Sequence, residues 1–297
     1  MKRFLYKVVI FPMFLVFYFG LNAIINFTIY NNPSIPIQET SVLIVGDSHP
    51  QKSLNPKYFN DAQNISQPAE PYILTYWKLK SIFKSYTPDT LIIGLAPHNI
   101  SQFNDLKFSN KKWSNEMFRR SYPIQDFRNI SNEISVDYST YTKVLWKQTA
   151  FYPKKNHIHF LGNYSNSKNT DVKDTKSAIE RHYYDNGKEL GVSESAVNYL
   201  DSIIDISSSK GIVLIMVSNP VHEHYLSNIP NAIMEKYDNL TKKYSINHIV
   251  YNKTKDIYPD SLYLNSDHLN EYGAKKFSIE LSEYLKNKAR THNIGYK

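Results

Sequence analysis

Short apolar runs and amphipathic stretches alternate along most of this chain. Residues 41–45, 90–95 and 212–217 are dominated by Val, Leu and Ile, the pattern of strands buried on both faces. Residues 61–66 and 246–251 are weaker runs of the same kind. Between these runs, apolar positions recur at helical spacing. Tyr72, Ile73, Tyr76, Leu79 and Phe83 share a face across residues 70–86, and Val197, Leu200, Ile203 and Ile204 do so across 193–209. Residues 230–244 read as another helix. Tyr272, Phe277, Leu281 and Leu285 line a closing helix over 269–286. Asn55-Pro56, Pro88-Asp89 and Lys210-Gly211 supply the breaks. Strands alternating with helices predict an α/β domain whose parallel sheet of about five strands is covered on both sides.

The pattern lapses between residues 101 and 191, which read as an insertion. Residues 123–151 are expected to hold helices, with Ile124, Phe127, Ile130 and Ile134 on one side. Residues 152–187 are rich in Asn, Lys and Ser. We read them as a long loop region packed on the site side of the domain, with a disordered excursion as the plainer alternative.

The N-terminus has a different character. Lys2 and Arg3 precede an apolar stretch from Phe4 to about Ile25, interrupted by Lys7, Pro12 and Asn22. Its length approaches the about 20 residues a membrane-spanning helix needs. Positive charge before the span and a long chain after it place the N-terminus in the cytoplasm and the body outside it. A cleaved signal peptide is the competing reading, but bulky Asn26-Phe27-Thr28-Ile29-Tyr30 offers no small-residue cleavage site. The expected organisation is a single-pass cell-membrane anchor over residues 1–30, a linker over 31–40 carrying Pro33 and Pro36, and an extracytoplasmic domain over 41–297.

Composition narrows the chemistry. The chain has no Cys, which excludes disulfides, thiolate catalysis and Cys-based zinc sites. The 35 Lys and Arg against 27 Asp and Glu give a net charge of +8. These cations are scattered, with only short pairs such as Lys111-Lys112 and Arg119-Arg120, so a solvated surface is the simplest account. The lack of a clustered basic stripe and an exported body argue against nucleic acid as partner. The 24 Tyr and 15 Phe are numerous for a simple soluble enzyme; surface aromatics suit sugar stacking. No glycine-rich phosphate loop is present.

The candidate chemistry lies where apolar strands end. Gly46-Asp47-Ser48-His49 follows the first strand, His98-Asn99 the third and Asn219-Pro220 the fourth, while Asp267-His268 precedes the last helix. Ligands of open parallel sheets bind beyond the carboxyl ends of the strands. A serine hydroxyl is a weak nucleophile that needs a base, and an imidazole suits neutral pH. Ser48 with His268 therefore reads as nucleophile and base. Each element also has a plain alternative: Asp-Ser after a strand is often a helix cap, Asp267 could cap the last helix, and His98 could be a polar strand-end residue. His222-Glu223-His224 has borderline metal ligands, but short loops present such residues by chance. We expect no metal and no cofactor.

These motifs resemble those of the SGNH (GDSL-like) hydrolase superfamily. Gly46-Asp47-Ser48 is similar to its first motif, with His49 where many members have Leu. The run from Leu91 through Gly94 to Asn99 resembles its third motif, and Asp267-His268 its last. The resemblance implies a three-layer, flavodoxin-like domain in which Ser48 attacks an ester and His268 is the base. It also implies an oxyanion or substrate site drawn from Gly94, His98, Asn99 and Asn219. Two features depart from the family pattern. The residue three before the histidine, usually Asp, is Asn265, and residues 64–70 lack the glycine of the second motif. Asn265, Asp267 or a backbone carbonyl could each hold the second ring nitrogen of His268. Within the superfamily the chain looks most like membrane-anchored proteins of cell-envelope or exopolysaccharide O-acylation. That implies an acylated glycan or a small ester as substrate and a multi-span membrane acyltransferase as a candidate partner. A catalytically inactive binding or assembly protein on the same fold is the rival reading.

Overall fold

The computed structural model describes residues 2–31, 35–122, 124, 134–153 and 159–292. They fall into two compact units, Met1–Pro36 with Phe108–His159, and Ile37–Lys107 with Phe160–Lys297.

The second unit carries the expected sheet. Strands β1 (Val42–Val45), β2 (Ala62–Asn64), β3 (Thr90–Gly94), β6 (Val213–Ser218) and β7 (Ile249–Asn252) are all parallel, in the order β2-β1-β3-β6-β7. This is the doubly wound order of flavodoxin-like folds, and its switch point lies at β1 and β3. A two-residue-a-side hairpin of β4 (Tyr184–Asp185) and β5 (Lys188–Glu189) stands apart from the sheet. Alternation along the strands sorts side chains to two faces. Val42, Ile44, Ile92, Ile215, Val217 and Tyr251 share one core cluster with Phe277, Leu281 and Leu285 of the closing helix α10 (Glu271–His292). The intervening Leu43, Val45, Leu91, Ile93, Leu214 and Met216 are equally buried on the opposite face. There α3 (Tyr72–Ile82) packs beside α7 (Glu194–Ser208). Helix α9 (Asn231–Ser245) precedes β7.

The helix read across residues 70–86 is shorter than its apolar face suggests. Glu70 stays outside it and pairs with the fully buried Lys78 at 2.7 Å, while Lys78 also donates to the Ile65 carbonyl at 3.0 Å. That buried pair ties the end of β2 to α3.

The polar stretch read as a loop is corrected in part. It contains α6 (Thr175–Tyr183), which buries Ala178, Ile179, His182 and Tyr183. A single buried turn of apolar positions that also includes a histidine is too short and too polar for periodicity to reveal. Residues 160–171 carry no helix or strand, are hydrogen-bonded to the sheet end, and run into a 3-10 turn over Val172–Asp174. Gly162 N–H donates to the Ile65 carbonyl, Asn166 Nδ2 to the carbonyls of Lys52 and Leu269, and Asp171 N–H to the Leu264 carbonyl. A Cβ on Gly162 would lie 1.9 Å from the Ser66 carbonyl oxygen, so only glycine fits there.

The first unit holds α1 (Lys2–Asn31), α4 (Ser114–Ser121) and α5 (Tyr138–Thr149). Residues Tyr6–Ile29 of α1 are long and apolar enough to cross a membrane, a property that signal sequences share. Asn22 Nδ2 donates to the Ala150 carbonyl, and Asn26 Nδ2 donates to those of Thr149 and Phe151. Two polar residues inside the apolar stretch thus cap the C-terminal end of α5, where helix carbonyls lack partners of their own. Of the apolar face read across 123–151, Phe127 and Ile130 lie outside the described residues.

Candidate active site

The loop after β1 is shaped by two glycines and a proline. Gly46 has φ +129°, open to glycine, and a Cβ there would lie 2.9 Å from Pro50 Cγ. A Cβ on Gly94, at the end of β3, would lie 2.8 Å from Pro50 Cδ. The Pro50 ring therefore fills a notch that exists only because both strand ends carry glycine. This packing seats the short helix α2 (Ser48–Ser53) directly on β1, with Asp47 as its N-cap accepting the His49 N–H at 2.9 Å. Ser48 opens the helix and stays partly exposed.

The opposite side of the site is the loop before α10. Asn270, fully buried, accepts the N–H groups of Tyr272 and Gly273 at 3.0 Å and donates to the Ser261 carbonyl at 2.8 Å. It is the cap of α10, so the reading of Asp267 as that cap is corrected. A Cβ on Gly273 would lie 2.2 Å from the Leu262 carbonyl oxygen. Asn270 and Gly273 thus clamp the loop, and a Tyr263–Leu269 bridge closes it.

The loop brings His268 Nε2 to 2.7 Å from Ser48 Oγ, across 220 positions of sequence. Its Nδ1 lies 3.0 Å from Asn265 Oδ1 and 3.1 Å from Asp267 Oδ1. The two contacts differ in kind. Asn265 Oδ1 meets the ring in hydrogen-bonding geometry and also accepts the His268 backbone N–H at 2.9 Å. Asp267 Oδ1 lies against the same nitrogen in poorer hydrogen-bonding geometry, and what it adds there is chiefly charge. Orientation and countercharge come from different residues.

Asp267 is fully buried. Burial alone would raise its carboxyl, but His268 foremost, with His49 and His182, holds it well below the usual carboxylate range. His49 Nε2 lies 3.7 Å and His182 Nε2 3.9 Å from Asp267 Oδ2, and Arg181 Nη2 is at 3.6 Å. The His49 ring packs 4.9 Å from that of His268 and 4.3 Å from that of His98, which stacks on His182 at 4.7 Å. A second carboxylate braces the other end of this imidazole row. Asp47 Oδ2 lies 2.5 Å from His98 Nε2 and accepts Asn99 Nδ2 at 2.8 Å. Burial opposes the charge on Asp47, yet His98 and His49 hold its carboxyl far below the ordinary range. Burial, with His49 beside it, pushes His98 down to about 4 against the pull of Asp47. A neutral His98 therefore donates Nε2–H to an ionised Asp47.

The remaining candidates are engaged within the fold. Asn99 gives its amide to Asp47 and its Oδ1 accepts the Ala96 N–H at 2.8 Å. Gly94 accepts the Tyr72 hydroxyl on its carbonyl, and Asn219 Nδ2 donates to the Pro220 carbonyl at 2.9 Å. Arg181 and His182 escaped sequence reasoning, because α6 sits in a stretch with almost no periodic signal. His49 was visible only as a departure from a motif. His222 and His224 lie with ring centroids 5.1 Å apart and the rings tilted, with His222 Nε2 turned to Asp260 at 3.3 Å. Ligand atoms of His49, Asp267 and His268 lie within 4.8 Å of one another, close enough to share a cation. Arg181 already places a fixed positive charge beside the carboxylate of that group.

No family model matches the chain, and no curated protein matches it. Among solved structures it is similar in course to a protein assigned as a platelet activating factor from Streptococcus pneumonia, at 12% identity and a TM-score of 0.41, covering 94% of this chain and 98% of that one. It is also similar to a protein assigned as an acylhydrolase from Bacteroides fragilis, at 12% identity and a TM-score of 0.38, covering 92% of this chain and 95% of that one. A third likeness is an acetyl xylan esterase from the rumen bacterium Butyrivibrio proteoclasticus, at 11% identity and a TM-score of 0.32, covering 86% and 65%. Likenesses this distant carry no chemistry over; that must come from the residues of this chain.

Proposed function

We propose that this protein is a membrane-anchored serine esterase or O-acyltransferase of the SGNH kind, acting on acyl esters of a cell-envelope glycan or similar polymer. The observation that carries the reading is the 2.7 Å contact between Ser48 Oγ and His268 Nε2, with the second ring nitrogen held by Asn265 Oδ1 at 3.0 Å. A nucleophile, a base in hydrogen-bond reach and an orienting acceptor are the minimum for acyl transfer.

Ser48 Oγ attacks the acyl carbonyl while His268 Nε2 takes the hydroxyl proton. The adduct collapses, the C–O bond to the alcohol breaks, and His268 returns the proton to that alcohol. Asp267 stabilises the intervening imidazolium by charge. Water attacking acyl-Ser48, with His268 again as base, releases the acid and gives an esterase. A sugar hydroxyl in its place gives a transferase, which would draw on a multi-span membrane partner for its acyl donor. The Ser48 backbone N–H is the first oxyanion donor. Asn99 and His98 act by bracing Asp47, and through it the turn that presents Ser48. Lys2, Arg3 and Lys7 at the start of α1 support a body outside the cytoplasm.

The test is a fluorophosphonate probe applied to the full chain in detergent, with the adduct mapped by mass spectrometry. Labelling of Ser48 that is lost in His268→Ala supports the reading. A folded sample that takes no label shifts the assignment to a non-catalytic binding protein of the same fold.

A further inference from the structure

We infer that the C-terminal end of α5 is a second membrane contact, a lipid-interface element that enters the outer leaflet beside the α1 span. The inference rests on the proposed retention of α1 as an anchor, and the observations that extend it all lie within the first unit.

The depth follows from helix geometry. Tyr6–Ile29 holds 24 residues, about 36 Å at 1.5 Å per residue, longer than a hydrocarbon core of about 30 Å. With Lys7 at the cytoplasmic boundary, the core takes about 20 residues and ends near Phe27. Asn22 and Asn26 then lie inside the outer leaflet. Bare amides there are costly, as are the unpaired carbonyls that end a helix. The structure offsets both at once, because the Nδ2 groups of these amides donate to the carbonyls of Thr149, Ala150 and Phe151, while Asn26 Oδ1 accepts from no described residue. Whatever depth α1 sets, the end of α5 shares it. The Phe19 ring, deeper still, packs 5.6 Å from Trp146 and 6.0 Å from Phe151.

The surface around this junction is what lipid requires. Trp146 is 55% exposed, Phe151 47% and Tyr152 70%, next to a span whose own apolar side chains are exposed. Aromatic rings of this kind gather at the membrane interface, with Lys and Arg reaching outward to headgroups. Lys143, Lys147 and Arg119 are exposed on α5 and α4. Lys147 and Arg119, the latter paired with Glu116 at 2.9 Å, line a cleft of about 270 Å³ with Phe151 and Tyr152. A contiguous aromatic patch with a basic rim, continuous with a span, fits a bilayer surface.

The lack of native Cys permits single-site labels without background. Val16→Cys on the span, Trp146→Cys and Tyr152→Cys on the patch, and Ile257→Cys on the body each receive an environment-sensitive fluorophore. The full chain is then reconstituted in vesicles of zwitterionic and anionic phospholipid containing a headgroup-proximal spin-labelled lipid. The expected result is a blue-shifted signal at 146 and 152, quenched at least twofold more than at 257, with 16 also in lipid. If 16 is lipid-exposed while 146 and 152 behave like 257, the second contact is overturned and the anchor stands. If 146 and 152 are blue-shifted without lipid quenching, protein rather than lipid covers the patch, and the inference is equally overturned. If 16 itself is aqueous, the anchor fails and takes the inference with it.

Discussion

Replacing Asp267 with Asn removes one charge and almost no volume. Asn265 still accepts from His268 Nδ1, so the ring keeps its orientation and the variant isolates the countercharge. At 3.1 Å and an effective dielectric of about 20, a carboxylate stabilises an adjacent imidazolium by about 5 kcal/mol. If the Ser48 proton is about half transferred in the transition state, the loss is about 2–3 kcal/mol, or roughly 10²-fold in rate. The rate of Ser48 phosphonylation at pH 7 reads this directly, with thermal unfolding as the check that the fold survives. The full effect lies in the rate constant and not in the fraction of protein labelled. A labelling rate within threefold of the unmodified chain would refute the division of labour and leave Asn265 as the sole support of His268. Asn265→Ala should lose more in geometry, because Asn265 Oδ1 also accepts two backbone N–H groups of the loop, from Asp267 and His268.

Gly273→Ala forces a Cβ to within 2.2 Å of the Leu262 carbonyl oxygen and should cost about 2 kcal/mol in a denaturant titration, with a parallel drop in Ser48 labelling as the His268 loop shifts. Asn166→Ala removes two of the hydrogen bonds that hold residues 160–171 in place, to the Lys52 carbonyl of α2 and to the Leu269 carbonyl. It should raise protease sensitivity in that segment and lower stability by about 1–2 kcal/mol. Acid should weaken the fold through its buried imidazoles. His98 protonates near pH 4 when folded and near 6.5 when unfolded, so the unfolded chain binds the extra proton between those values. Its contribution is therefore complete above about pH 6.5 and falls away toward pH 4, by roughly 3 kcal/mol in all. His182, held well below its ordinary value first by burial and then by His98, adds in the same direction. Denaturant midpoints at pH 7.5, 5.5 and 4.5 should fall in that order, and a flat series would sink this account.

Much of the architecture was legible because it depends on short-range pattern. Apolar runs such as 90–95, short and bounded by breaks, read as strands covered on both faces, and the helical faces of α7 and, apart from the exposed Tyr272, of α10 repeat at helical spacing. The position of Ser48 after an apolar run ending in glycine, and of His268 just before the last helix, could be read in the same way. What needed the tertiary structure was everything decided by contacts far apart in sequence. That Gly46 and Gly94 are a single notch for Pro50 depends on β1 and β3 being neighbours. That Asn265 orients His268 while Asp267 supplies the charge depends on side-chain directions around one loop, which residue spacing cannot resolve. Arg181 and His182 reach Asp267 from a helix too short and too polar to announce itself. Asn22 read as an interruption of an apolar stretch, and Asn26 as part of the bulky run after it, until the carbonyls they cap, more than a hundred residues away, came into view. Periodicity reports which face of an element is buried; it carries no record of the partner against which a polar group is satisfied, and in this chain those partners make both the site and the junction of α1 with α5.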